Sequence, residues 1–151
     1  MEQGDGIPAV TVTMAAGQPL ALGDVAGPLV VYFYPKDDTS GCTREALDFT
    51  ALAGEFQAAG VRVIGISKDS PAKHQKFAAK HGLTVELASD EDGAACEAFG
   101  VWGEKKLYGK TYMGIERATF LFGGDGRLAA SWRKVKVPGH AQAVLEAARA
   151  L

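Results

Sequence analysis

The sequence predicts an α/β layer fold, and three observations predict it. Apolar, β-branched runs at 29–34, 61–67 and 84–88 alternate with stretches of helical spacing. The first of these, Leu29-Val-Val-Tyr-Phe-Tyr34, is apolar along nearly its whole length, as expected of a central strand covered on both faces. The chain then closes with strand, turn, strand and helix over 118–151. Together these give a central mixed β-sheet flanked by helices.

Taken in order, residues 1–8 read as a poorly ordered start. Ala9-Val-Thr-Val-Thr-Met14 alternates, and residues 15–18 carry turn chemistry before Pro19-Leu-Ala-Leu22, so an N-terminal β-hairpin is expected. Gly23-Asp24 and Gly27-Pro28 punctuate a loop before the strand at 29–34. A helix over 43–59 presents Ala46, Phe49, Ala53 and Phe56 on one face and stops at Gly60. A strand follows at 61–67. Ser70-Pro71 then reads as an N-cap with proline at the first helical position, and the helix 71–81 ends at Gly82. A short strand at 84–88 precedes a short helix at 90–99, capped by Ser89 or Asp90. Residues 100–114 contain Gly100, Gly103, Gly109 and Gly114 and read as a surface loop. Strands at 118–122 and 127–132 flank the hairpin turn Gly123-Gly-Asp-Gly126. Pro138 opens the last helix, with Val144, Leu145 and Ala148 on its apolar face. There is no repeat, low-complexity tract or linker, so one domain over 1–151 is expected.

Composition bounds the function. The 151 residues are 47% hydrophobic and 23% charged, enough for a core without staples. A net charge of −2 gives nucleic acid no reason to bind. No apolar run is long enough to span a membrane. Residues 1–8 lack the charged and apolar regions of a signal peptide. Two cysteines make no disulfide framework, and a reducing cytoplasm is the simplest home. His74, His81 and His140 are scattered without metal-ligand spacing, so no metal or cofactor is expected. His81 reads as a helix end and His74 as part of a solvated face.

The informative stretch is Tyr34-Pro-Lys-Asp-Asp-Thr-Ser-Gly-Cys-Thr-Arg-Glu45, which lies between a buried strand and an amphipathic helix. Cys42 therefore sits at a helix start, where unsatisfied N–H groups and a partial positive charge favour a thiolate. Thr39 precedes it on the turn, and Pro35 fixes the direction in which the chain leaves the strand. Each residue also has a plainer reading. Cys42 can be a small buried hydrophobe, Thr39 a turn residue bonding its own backbone, and Glu45 ordinary first-turn charge.

Pro35-x-x-x-Thr39-x-x-Cys42 resembles the peroxidatic motif of the peroxiredoxins. The wording around it is similar to their bacterioferritin comigratory protein, or peroxiredoxin Q, branch. So are the later runs from Ser89-Asp-Glu-Asp through Phe99-Gly-Val-Trp-Gly-Glu-Lys to Gly109-Lys-Thr-Tyr and Ile115-Glu-Arg117, and the likeness spans about residues 9–151. The resemblance implies a thioredoxin-like fold and a thiol-dependent peroxidase acting on hydrogen peroxide and organic hydroperoxides. It implies Cys42 as nucleophile, with Thr39 and the N–H groups of Gly41 and Cys42 directed at the peroxide. Arg117 matches the family's active-site arginine, against the plainer reading of a surface ion-pair residue, and Glu45 is placed to orient it.

The chain departs from the commonest family pattern in its second thiol. Leu47 occupies the position five after Cys42 where many members carry a resolving cysteine, and the helix 71–81 has none. The remaining thiol, Cys96, is a possible resolving residue, and some members carry a cysteine there without that role. The expectation is a one-cysteine cycle completed by thioredoxin, glutaredoxin or a small-thiol reductant, in a monomeric protein. A Cys42–Cys96 disulfide cycle and a non-catalytic redox-sensing module remain open. A disulfide reductase is disfavoured by the lack of Cys-x-x-Cys.

Overall fold

The computed structural model describes residues 1–151. Nine strands and five α-helices follow in the order β1 (Thr11–Met14), β2 (Pro19–Ala21), β3 (Leu29–Phe33), α1 (Ser40–Ala51), α2 (Ala53–Ala58), β4 (Arg62–Ser67), α3 (Pro71–His81), β5 (Glu86–Ser89), α4 (Ala94–Ala98), β6 (Trp102–Leu107), β7 (Lys110–Ile115), β8 (Ala118–Phe122), β9 (Leu128–Trp132) and α5 (His140–Arg149). Seven strands form a mixed sheet ordered β2-β1-β5-β4-β3-β8-β9. β3 pairs parallel with β4, and β4 with β5, while β8 runs antiparallel to β3. All five residues of β3 are buried, which explains its unbroken apolar sequence.

Strand alternation divides the core in two. Val31 and Phe33 of β3 join Ile64, Ile66, Phe120, Cys96 and Phe99 in one cluster. Val30 and Tyr32 join Cys42, Ala46, Phe49, Phe56, Phe77 and Leu145 in the other. Thus α1, α2, α3 and α5 cover one face of the sheet and α4 the other. Crossovers from β3 to β4 and from β4 to β5 run in one direction across the sheet, so right-handed connection puts their helices on one side.

Several expectations need correction. Residues 1–8 are pinned rather than loose: Gly4 N–H donates to Leu128 O and Ile7 N–H to Gly126 O, beside a bridge between Gly6 and Arg127. The expected helix 43–59 begins earlier, at Ser40, and is two helices broken at Leu52 (φ −97°, ψ 5°). Gly54, just past the break, offers little helix propensity. The helix expected over 90–99 shrinks to Ala94–Ala98. Its opening residues form a turn in which the Asp90 carboxylate accepts the N–H groups of Ala95 and Cys96. The last helix starts at His140, after Gly139 in the left-handed region, rather than at Pro138. The strand expected at 84–88 is displaced to Glu86–Ser89.

The largest correction is at 100–114. This segment is the β6–β7 hairpin, a two-stranded sheet outside the main one. Tyr108 (φ 52°) and Gly109 (φ 74°) form its tight turn. Tyrosine is not a usual residue at a left-handed turn position, so the hairpin left no ordinary signature. By contrast, α3 spans the expected residues, with Ser70 Oγ accepting the Lys73 N–H and Gly82 left-handed at its end.

Candidate active site

The site is assembled where β3 runs into α1 and β8 begins. Thr39 is the extended N-cap of α1, so Cys42 is the third helical residue, within the first turn. The earliest intrahelical bond runs from Thr43 N–H to Thr39 O, and the N–H groups of Gly41 and Cys42 have no acceptor in the protein. They are free donors beside a sulfur.

Arg117 enters from just before β8. Its Nη2 donates to Cys42 Sγ at 3.3 Å and its Nη1 to Glu45 Oε1 at 2.7 Å. The planar fork thus bridges the two residues, one helical turn apart. Burial works against the guanidinium's charge, but Glu45 and Cys42 more than offset it and hold Arg117 above the ordinary arginine range. Glu45 is 1% exposed. Burial pushes its carboxyl up to about 7 against the pull of Arg117, and Oε2 has no partner. Gly41 leaves room for the guanidinium: a Cβ there would lie 3.2 Å from Arg117 Nη2 and press on it.

Thr39 is exposed, and its hydroxyl donates to Lys36 O at 3.0 Å. The turn-residue reading is therefore correct as far as it goes. The oxygen's lone pairs stay available to accept a further hydrogen bond. Pro35 and Arg117 line a cleft of about 510 Å³ together with Trp102, Lys105 and Val135. Trp102 lines this cleft, with Lys68 Nζ 4.2 Å from its ring centroid, while Tyr108 is 95% exposed at the hairpin tip. Lys105 donates to Ile115 O, and burial together with the nearby Arg117 lowers its pKa.

Cys96 lies apart from this assembly. It is fully buried in the cluster on the opposite face of the sheet. Burial and the adjacent Asp90 carboxylate push its thiol pKa far up. Both cysteines are free thiols. Leu47, on α1, is 39% exposed. No group of histidine, cysteine and acidic residues is arranged to hold a metal.

A sequence profile for the AhpC/TSA family matches residues 3–131. The chain belongs to that family. Within it, this peroxiredoxin falls in the Bcp, or peroxiredoxin Q, branch. It is 55% identical to peroxiredoxin Bcp of Xanthomonas campestris over 122 residues, 81% of this chain and 76% of that protein. It superposes on a cysteine-to-serine mutant of Xylella fastidiosa peroxiredoxin Q with a TM-score of 0.93 and 41% identity, covering 99% of this chain and 96% of that one. It also matches a structure of the Xanthomonas campestris bacterioferritin comigratory protein, described in connection with alkyl peroxide reduction. There the TM-score is 0.88 and identity 46%, over 97% and 98% of the two chains. The fold is thioredoxin-like, and the peroxiredoxin is a thiol peroxidase.

Sequence reasoning reached Cys42, Arg117 and Glu45, and the structure brings all three together. It missed the polar residues beneath the loop. His74, expected on a solvated face, is fully buried, with Nδ1 2.6 Å from Asp37 Oδ2. Its flanking residues Lys73 and Gln75 are exposed, so the local sequence reads as surface. His140, read as scattered, is also buried, with Nε2 2.7 Å from Thr119 Oγ1. His81 does lie at a helix end, with Nε2 2.7 Å from Asp38 Oδ1.

Proposed function

We propose that Cys42 is the peroxidatic nucleophile and that this enzyme runs a one-cysteine cycle. The observation that carries the reading is the Arg117–Cys42 contact at 3.3 Å, in a first turn with two free amides. The contact sets a charged, permanently protonated donor on the sulfur that must attack as a thiolate. The sulfur attacks one oxygen of ROOH. An S–O bond forms and the O–O bond breaks. The departing RO⁻ takes a proton to leave as ROH, or as water when the substrate is hydrogen peroxide. Arg117 and the amides of Gly41 and Cys42 offer donors to the negative charge that develops. Thr39 accepts a hydrogen bond from the peroxide O–H. Cys42 is left as a sulfenic acid.

An external thiol then condenses with the sulfenic acid, releasing water and forming a mixed disulfide. A second thiol frees Cys42. Three facts favour this route over a Cys42–Cys96 bridge. The two cysteines occupy opposite faces of the sheet, the Cys96 thiol is held protonated, and Leu47 stands at the usual same-helix position. A disulfide needs Cα atoms within about 7 Å. Thioredoxin, glutaredoxin and small thiols are the reductant classes to compare, and a monomer in a reducing cytoplasm suits an external-thiol cycle.

The reading is tested by mixing reduced protein with one equivalent of hydrogen peroxide and counting free thiols. One thiol disappears in the wild type and in Cys96→Ser, and none in Cys42→Ser. Turnover with dithiothreitol survives in Cys96→Ser and is abolished in Cys42→Ser. A stoichiometric Cys42–Cys96 disulfide in the mass spectrum after one turnover overturns the one-cysteine cycle. Unreacted wild-type thiols overturn the peroxidatic assignment itself.

A further inference from the structure

Residues 34–39 join β3 to the helix that carries Cys42, and Asp37 and Asp38 among them are fastened to α3. The Asp37 carboxylate accepts a hydrogen bond from Tyr34 Oη at 2.5 Å and meets His74 Nδ1 at 2.6 Å. His74 Nε2 lies 3.0 Å from the Ala88 carbonyl oxygen on β5. A carbonyl only accepts, so Nε2 carries a hydrogen, and the short Nδ1–Oδ2 contact needs a second proton between its atoms. The Asp37 N–H donates to Asp69 Oδ2, which also accepts the Ser67 hydroxyl. Asp38 is left-handed (φ 62°), and its carboxylate binds Lys80 Nζ and His81 Nε2, each at 2.7 Å. None of these groups hydrogen-bonds Cys42 or Arg117.

A buried polar cluster that is fully satisfied specifies a single conformation. Here it specifies the backbone at 37 and 38, immediately before Thr39 and the free amides of α1. We propose that Asp37, through Tyr34 and His74, is a positioning residue for peroxide reduction: it ties the segment 34–39 to α3 and β5 and so sets where Thr39 and the first-turn amides meet the peroxide. This inference rests on the assignment of Cys42 as the peroxidatic nucleophile.

The geometry distinguishes two variants. Asp37→Ala removes the carboxylate that Tyr34 Oη and His74 Nδ1 share and leaves them only their long mutual contact of 3.4 Å. Asp37→Asn keeps every bond: its Oδ1 accepts from Tyr34, its Nδ2 donates to a neutral His74 Nδ1, and Nε2 still donates to Ala88 O. Single-turnover oxidation of Cys42 by hydrogen peroxide is followed by stopped flow, with reduction of the preformed sulfenic acid by dithiothreitol measured on the same proteins. Asp37→Ala is expected to be oxidised at least about tenfold more slowly, because small displacements of positioning groups are costly. Its sulfenic acid is reduced at the wild-type rate, and Asp37→Asn is oxidised within about threefold of wild type. Tyr34→Phe removes one hydroxyl and no packing, and slows oxidation about threefold even if Asp37→Ala folds poorly. Wild-type rates in both Asp37→Ala and Tyr34→Phe overturn the proposal, as does Asp37→Asn proving as slow as Asp37→Ala. Failure of wild-type Cys42 to react sinks the underlying assignment instead.

Discussion

Arg117 serves two partners with one planar group, and the consequence at the residue scale is that neither its charge nor its shape is replaceable alone. Lysine keeps the charge but offers a single compact ammonium, which cannot reproduce two parallel contacts to Glu45 Oε1 and Cys42 Sγ. Arg117→Lys is expected to slow peroxide oxidation of Cys42 by about tenfold or more, measured by stopped flow. Gly41 gives a sharper test, because stability and activity should move apart. Alanine is the better helix former by about 0.5–1 kcal/mol. Yet its Cβ would press on Arg117 Nη2 at 3.2 Å, tighter than ordinary contact. Gly41→Ala should therefore melt no lower than wild type while Cys42 reacts several-fold more slowly. Retained reactivity would show that the guanidinium can shift without cost. At this scale Thr39, Cys42, Glu45 and Arg117 were legible because they belong to a motif. Asp37 and His74 were not. Their contact joins a loop to a helix 37 residues later, and a single long-range polar pair leaves no periodic trace.

The elements repeat that division between local and long-range information. β3 was readable because burial on both faces demands an apolar run, and α3 because Ser70, Pro71 and Gly82 mark its ends. The β6–β7 hairpin was not, since its turn is Tyr108-Gly109 and its exposed strands alternate weakly. Pairing across strands also explains a glycine that no sequence rule singles out. Tyr32 on β3 stands opposite Gly65 on β4, and its ring lies over that residue. A Cβ at 65 would fall 2.5 Å from the Tyr32 ring, which is itself stacked on Phe49 of α1 at 4.5 Å. The ring is fully buried, so moving it means displacing its neighbours. Gly65→Ala should cost about 1–3 kcal/mol of stability, as overpacking does in a filled core. A urea melt reads this directly, and an unchanged midpoint would mean that α1 can give way under Tyr32.

Across the whole molecule, two buried titratable groups near Arg117 oppose each other in pH. Burial raises Glu45 from an ordinary value of 4.5 to about 7. Its contribution to stability is complete below its unfolded pKa and is lost as pH rises through the folded value. Burial, with help from the Arg117 charge, lowers His140 from 6.5 to about 4. Its contribution is complete above 6.5 and is lost as pH falls through the folded value. Both windows cover pH 5 to 6.5, and the slopes have opposite sign. The wild type should therefore be nearly flat there, with each group hiding the other. Removing one exposes its counterpart. Relative to wild type, Glu45→Gln should lose about 2 kcal/mol on going from pH 6.5 to 5, because only the His140 penalty remains. His140→Gln should do the reverse and lose about as much on going from pH 5 to 6.5, because Glu45 ionises freely in the unfolded chain while burial keeps its proton on in the folded one. Urea melts of the three proteins at those two pH values decide it. Staying above pH 5 leaves out Asp38, Asp69 and Glu116, whose carboxyls are held below the ordinary range by their hydrogen-bonding partners and titrate lower. Parallel curves for all three proteins would mean that neither group changes its proton occupancy on folding in this window, and that the Arg117 pocket is wetter than its packing indicates.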